Sequence, residues 1–328
     1  MQIAHYNVAF QGQSYTPNVF RGEHNLISLE VNLSLNHCAD RVRVLFGGGS
    51  NFAAKLKDPI DITLGDEQSK PIVFRGKIAH LSFQATCIII DAQKSEHSLF
   101  ALHFNQLFQK QSCGAIVREI LSRASLDSGN IEDGITLSHY PLGIRWSGYD
   151  HIQALAQKND FIFFSNADNQ FHFQKPIKKA SKKKFSYKKD ILELQNTEHL
   201  PEYEGFLVYG EGAASVKGED AENWLHKNPD DYSGKAGKGN TWIEEHPELS
   251  NKQISLEVSK KIQKSFQRKK TSGKIVTLGA AEIFPGDCIS ISDCPMASCN
   301  KTFMVFSVRH IFNRTDGFIS QFTFMDIE

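Results

Sequence analysis

WSGYDHIQALAQKNDFIFFSNADNQFHF, residues 146–173, reads as one short helix running directly into an aromatic hairpin. Ser147 is placed to cap the helix, because its hydroxyl can accept a hydrogen bond from an otherwise unpaired first-turn amide. Ile152, Leu155 and Ala156 then recur at helical spacing, and the helix is expected to end near Asn159. Residues 161–164 form a compact β-prone run and residues 165–169 are turn formers. Phe171 and Phe173 alternate with Gln170 and His172 in a returning strand. A helix and hairpin this small need a larger body to pack against.

Upstream of this unit, Ala115, Ile116, Ile120, Leu121 and Ala124 mark an amphipathic helix, with Ser112 as its cap and a stop near Ser128-Gly129-Asn130. Earlier still, Leu29, Val31, Leu33 and Leu35 alternate with Glu30, Asn32 and Ser34, the pattern of a half-buried strand. Residues 41–46, 60–64, 72–83 and 86–91 continue the β pattern, and Gly47-Gly48-Gly49 suits a hairpin loop better than a phosphate cradle, since no Lys-Ser or Lys-Thr follows it. Short strands at close spacing must pair their edges or close. Residues 1–100 are therefore expected to form a first small β-body, a barrel or a sandwich, and residues 101–178 an α+β insert.

Residues 179–328 read as a second β-body. Strands are expected at 206–209, 214–217, 274–278, 287–291, 302–310 and 318–325. Residues 218–247, rich in Gly, Asp, Asn and Lys, read as a long polar loop. Ile254, Val258, Ile262 and Phe266 recur every fourth residue, giving an apolar stripe on a helix at about 251–270. The lysine-rich run KPIKKASKKKFSYKK, residues 175–189, reads as a solvated connector or strand rim. Its alternative is a contact patch for nucleic acid or an acidic partner centred on Lys182, Lys183 and Lys184.

Composition excludes several functions. Lys plus Arg and Asp plus Glu both number 37 in 328 residues, so no global field favours nucleic acid or an anionic membrane. The 24 phenylalanines favour a strand-rich fold. The start MQIAHYNVAF lacks a secretory pattern and no apolar run approaches the roughly 20 residues that span a bilayer, so a cytoplasmic product without membrane insertion is expected. Cys38, Cys87, Cys113, Cys288, Cys294 and Cys299 are expected to be reduced, and the cluster Cys288, Cys294 and Cys299 lacks a paired CxxC for zinc. No nucleophile elbow, P-loop, dinucleotide fingerprint or zinc-protease motif occurs. Asp150 and His151 are helical neighbours that point in different directions, and His310 on a strand suits a structural role. No cofactor, metal or catalytic residue is expected.

The order of pieces carries a resemblance. Val73-Phe74-Arg75-Gly76-Lys77-Ile78 in a β-body, an amphipathic helix, Trp146-Ser147 opening the unit that contains Leu155, and Phe284-Pro285-Gly286-Asp287 before closing strands resemble the contractile-tail baseplate hub family. That family includes the hub of T-even phages, late control protein D and the N-terminal part of VgrG spikes. The resemblance implies a homotrimer in which each chain supplies two similar β-barrels, forming a pseudo-sixfold ring. Such a ring would adapt a hexameric tail tube, or a tube initiator, to a separate trimeric spike, and let tape measure, DNA or effector pass. Assembly would take place in the baseplate of a virion or phage-tail-like particle. The resemblance also implies that Phe74 and Phe284 sit one in each barrel. Two other readings compete: a cell-wall or polysaccharide hydrolase, for which no acid pair stands out, and a carbohydrate- or receptor-binding β-protein.

Overall fold

The computed structural model describes residues 5–16, 26–47, 53–66, 69–210, 229–313 and 315–327, and is a β-rich α+β fold. The expected strand at 214–217, the start of the 218–247 loop and Gly48-Gly49 lie outside those residues.

Alternation along the strands decides which faces meet. In the Leu26–Ser34 strand, Leu29, Val31 and Leu33 are buried while the residues between them are less covered. The neighbouring Arg41–Gly47 strand buries Val42, Val44 and Phe46 in the same way. These strands belong to a 13-stranded sheet. Its hydrogen-bonded order runs Ile191–Glu198, Thr271–Leu278, Gly317–Met325, Thr302–Asn313, Leu26–Ser34, Arg41–Gly47, Cys87–Gln93, Ile72–Phe83, Pro59–Gly65, His5–Phe10 and Gln13–Tyr15. Off this path, Cys288–Ser292 pairs with the start of Thr302–Asn313, and Lys183–Ser186 lies parallel to Cys288–Ser292. Every other ladder in the sheet is antiparallel.

This arrangement corrects the expectation of two separate small barrels. Ser28 to Ser34 pair in register with Asn313 to Ser307, so strands from the two ends of the chain become neighbours. No ladder among the described residues closes on itself. Each body hides one edge against the other rather than by closure. The core is correspondingly continuous: Phe74 and Ile90 share one apolar cluster with Phe185, Phe303 and Phe322, and the partly buried Phe284 packs against it. Phe74 and Phe284 therefore border the same core.

A second core is built by three helices, α1 (Cys113–Arg123), α2 (Gly148–Asn159) and α3 (Lys252–Arg268). Ile116 and Ile120 of α1, Ile152 and Leu155 of α2 and the hairpin residues Phe163, Phe171 and Phe173 are buried together with Phe206, Val208, Leu249, Val258 and Ile262. Residues 205–210 and 249–262 thus contribute to the core of the insert. The described part of the expected polar loop is also corrected. Ser233–Gly237 pairs antiparallel and Thr241–His246 parallel with Gly205–Gly210, giving a three-stranded sheet beneath α3. The sequence SGKAG hides this strand because its glycine answers a steric demand. A Cβ on Gly234 would come within 2.1 Å of the Leu256 backbone nitrogen in α3. Ser112 caps α1 through the Ala115 amide, but the expected stop at residues 128–130 is instead the Ser128–Ile131 strand, parallel to Phe171–Gln174.

None of the helices is long and apolar enough to cross a membrane among the described residues. One buried ion pair ties α3 to α2: both terminal nitrogens of the Arg268 guanidinium meet the Asp160 carboxylate, Nη1 to Oδ2 at 2.7 Å. Asp160 caps α2 in the left-handed conformation, with φ of 55°. Removing one charge of a buried pair leaves the other uncompensated. Asp160→Asn, which tolerates that φ, is expected to cost about 3–5 kcal/mol in urea unfolding. The double variant with Arg268→Met is expected to recover part of that loss.

Candidate assembly surface

The residues singled out by sequence separate into three places. Phe74 is fully buried, and its ring lies over Gly76. A Cβ at Gly76 would approach Phe74 Cε1 to 2.6 Å and the Gln93 carbonyl oxygen to 2.5 Å. The Phe-x-Gly spacing is thus a packing requirement of the core. Leu155 is buried in the second core. Ser147 caps α2 reciprocally with Asp150: the Asp150 N–H donates to Ser147 Oγ at 3.2 Å, and the Ser147 N–H donates to Asp150 Oδ2 at 2.8 Å. This capping box occupies the Asp150 carboxylate. His151 is buried with Nδ1 2.8 Å from the Tyr140 hydroxyl, and burial holds its imidazole below the usual histidine range. The pair points apart, as helical neighbours must.

The third place brings two predicted groups together. Phe284-Pro285-Gly286-Asp287 is a tight turn in which the Asp287 N–H donates to the Phe284 carbonyl at 3.1 Å and Gly286 adopts φ of +86°. The Asp287 carboxylate accepts from the Phe284 N–H at 2.9 Å and from Lys182 Nζ at 2.8 Å, and that ammonium sits 5.3 Å from the Phe284 ring centroid. Lys183 pairs with Glu282 at 2.7 Å, whereas Lys184 is exposed. Of the two readings, connector or strand rim, the structure shows a strand at 183–186 within the large sheet, and Lys182 and Lys183 pair with Asp287 and Glu282 beside it.

The cysteines do not converge. Cys288 packs with Leu35, Ile162 and Met304, while Cys294 and Cys299 face each other, and all six thiols are free. Among the described residues, no group of three His, Cys, Asp or Glu side chains is arranged to hold a metal ion. His310 is buried against the Ser320 hydroxyl at 2.8 Å, and burial lowers it to about 3, so it stays neutral.

Sequence reasoning missed the exposed apolar groups at one end of the large sheet. The Ile191–Glu198 strand pairs on one side only among the described strands. Leu192 and Leu278 at one end of this ladder are 59% and 62% exposed, and Leu200 beyond its other end is 95% exposed. Beside them lies a groove of about 380 Å³ bordered by Gln195, Thr197, Lys274, Phe306 and Met325. Trp146 is likewise half exposed, 5.5 Å from the His151 ring. Strand alternation marks which side chains share a face, but Leu192 stands at a bulge, where alternation fails. An open edge flanked by leucines has no reaction chemistry. It can add a strand or bury against another chain.

The fold is that of bacteriophage tail proteins. Neither a family model nor a curated relative matches the sequence. Among solved structures, the 43 kDa tail protein of prophage MuSo2 from Shewanella oneidensis is similar at a TM-score of 0.74 and 9% identity, over 99% of this chain and 98% of that one. A tail protein from Neisseria meningitidis MC58 is similar at a TM-score of 0.70 and 9% identity, over 99% and 97% of the two chains. An E. coli component of the type VI secretion system, itself structurally similar to T4 tail proteins gp27 and gp5, gives a TM-score of 0.60 at 11% identity, over 97% and 76%.

Two glycines of the candidate signatures separate sterics from backbone preference. Gly76→Ala is expected to cost about 1–3 kcal/mol, because the new methyl must displace a ring or a carbonyl. Gly286→Ala, with its nearest neighbour atom 3.7 Å from a built Cβ, is expected to cost about 1 kcal/mol from its positive φ alone. Urea unfolding of both variants checks the order.

Proposed function

We propose that this chain is a structural component of a contractile tail or related injection system, acting as a baseplate hub by noncovalent assembly. The observation that carries this reading is the similarity in fold, over nearly the full length of both chains, to the prophage MuSo2 tail protein. In this reading the chain forms a homotrimer that adapts a hexameric tail tube to a separate trimeric spike and leaves a channel for DNA, tape measure or effector. The Ile191–Glu198 edge, open among the described strands, and the exposed leucines beside it supply a surface that geometry alone can use. Lys182 and Lys183 act inside the protomer as braces on the turn at Asp287 and on Glu282, so their positive charge is only partly free for a partner.

Light scattering of the purified chain, alone and with its tube and spike partners, is expected to give a trimer, and negative-stain images a ring with a bore. The double variant Leu192→Asp and Leu278→Asp is expected to reduce self-association at least tenfold while leaving the far-ultraviolet spectrum unchanged, since both side chains are already largely in water. A protein that stays monomeric with those partners and cleaves cell-wall material would overturn the hub reading.

A further inference from the structure

Outside the assembly surface, three ionisable side chains are sealed in the joint between the large sheet and the insert. Asp40 lies in the turn after the Leu26–Ser34 strand, Lys94 follows the Cys87–Gln93 strand, and Glu96 opens the short Ser95–Phe100 helix. They are 4%, 3% and 3% exposed. Lys94 Nζ reaches Asp40 Oδ2 at 3.3 Å and crosses to the insert, donating to the carbonyls of Ser165 at 2.8 Å and Asn166 at 3.2 Å. Asp40 Oδ1 accepts from the Ser34 N–H at 2.8 Å, and the Ser165 hydroxyl is hydrogen-bonded to Glu96. One lysine therefore holds the turn of the aromatic hairpin, and two carboxylates share that lysine.

The charge count is the decisive feature. Two ionised carboxylates around one ammonium leave a net negative charge in a site buried from solvent, which costs several kcal/mol unless a proton neutralises it. The other titratable group facing both carboxylates is the Cys38 thiol, which burial and the two acids push well up, so it supplies no compensating cation. From the hairpin side, the Ser165 hydroxyl reaches Glu96, and the Ser165 and Asn166 carbonyls accept from Lys94. The neighbouring Arg75–Asp168 ion pair, at 2.7 Å, ties the same hairpin tip to the sheet at an exposed position and does not enter the joint.

We propose that this joint is a proton-operated latch: one proton shared by Asp40 and Glu96 lets Lys94 hold the insert hairpin against the sheet, and losing that proton loosens the hairpin. Burial raises Asp40 to about 6 and Glu96 to about 7, which puts the release in the neutral range. Both acids are raised above their values in an opened, solvated joint. Their stabilising contribution is therefore full at acid pH below those ordinary values, and falls as pH rises through the raised ones. The inference does not depend on the tail reading.

Hydrogen exchange of the full chain, corrected for the intrinsic pH dependence of amide exchange, tests it. For Glu96 moving from 4.5 in the open joint to about 7 in the closed one, opening of residues 161–174 is expected to be about tenfold more frequent at pH 8 than at pH 6. Amides of the Arg41–Gly47 strand are expected to keep the same protection. Glu96→Gln, a neutral isostere of the protonated acid, is expected to remove that pH response. Should that variant fail to fold, the carbon-13 titration of the Glu96 carboxyl in the unaltered protein decides: a midpoint near 7 supports the latch. Hairpin protection that is equal at both pH values, a response that survives Glu96→Gln, or a Glu96 midpoint near 4.5 would each overturn it.

Discussion

Seven consecutive residue pairs between the Leu26–Ser34 and Thr302–Asn313 strands hold the molecule together. Without them, each half of the sheet would present an unpaired edge and half of an apolar core. With them, Phe74 and Phe322 share one interior. The register is reinforced on the surface, where the Arg309 guanidinium meets both oxygens of Glu30 at 3.0 and 2.8 Å. Such an exposed pair adds little energy but favours one alignment over its neighbours. The position of the insert follows from the same ladder. Leu26–Ser34 runs into the turn where the Asn36 N–H donates to the Phe163 carbonyl at 2.8 Å and Asn36 Oδ1 accepts from the Phe163 N–H at 3.0 Å. Fixing that strand fixes where the hairpin docks.

The two cores divide the labour of the chain. The sheet core is a continuous wall, open at Ile191–Glu198 among the described strands, whereas the insert core is closed by helices and by the buried Arg268–Asp160 pair. The proposed assembly role would use this contrast: rigid packing inside each unit and unspent strand edge or apolar surface outside it. The buried polar groups fit the same division. Asp150, His151 and His310 are each engaged with structural partners.

Local features were legible in the sequence, and long-range ones were not. Ser112 and Ser147 announce their helices because a cap is a contact over three residues, and Leu29, Val31 and Leu33 announce a strand because its period is two. Nothing local tells Ser28 that its neighbour is Asn313, so two barrels were the simplest way to close the edges. The strand at Ser233–Gly237 was hidden for another reason: its Gly234 admits a helix backbone, and strand propensity was surrendered to packing. Lys94, Asp40 and Glu96 look like solvated residues by type, and their burial is set by a hairpin more than 60 residues downstream, 71 from Lys94 to Ser165. Among the signature residues, Phe74 and Gly76 proved to be core geometry, while the exposed Trp146 is the signature residue nearest to a free surface.

The strand pairing that unites the sheet also sets a timetable. Glu30 and Arg309 are separated by 279 positions, and a ribosome adding roughly 5–20 residues per second needs on the order of 15–60 s to make the intervening chain. Throughout that interval the first half of the sheet waits with one long, alternating strand unpaired on one side. Nascent chains of this protein therefore carry a sticky template for edge-to-edge association with one another, which the finished molecule conceals within itself.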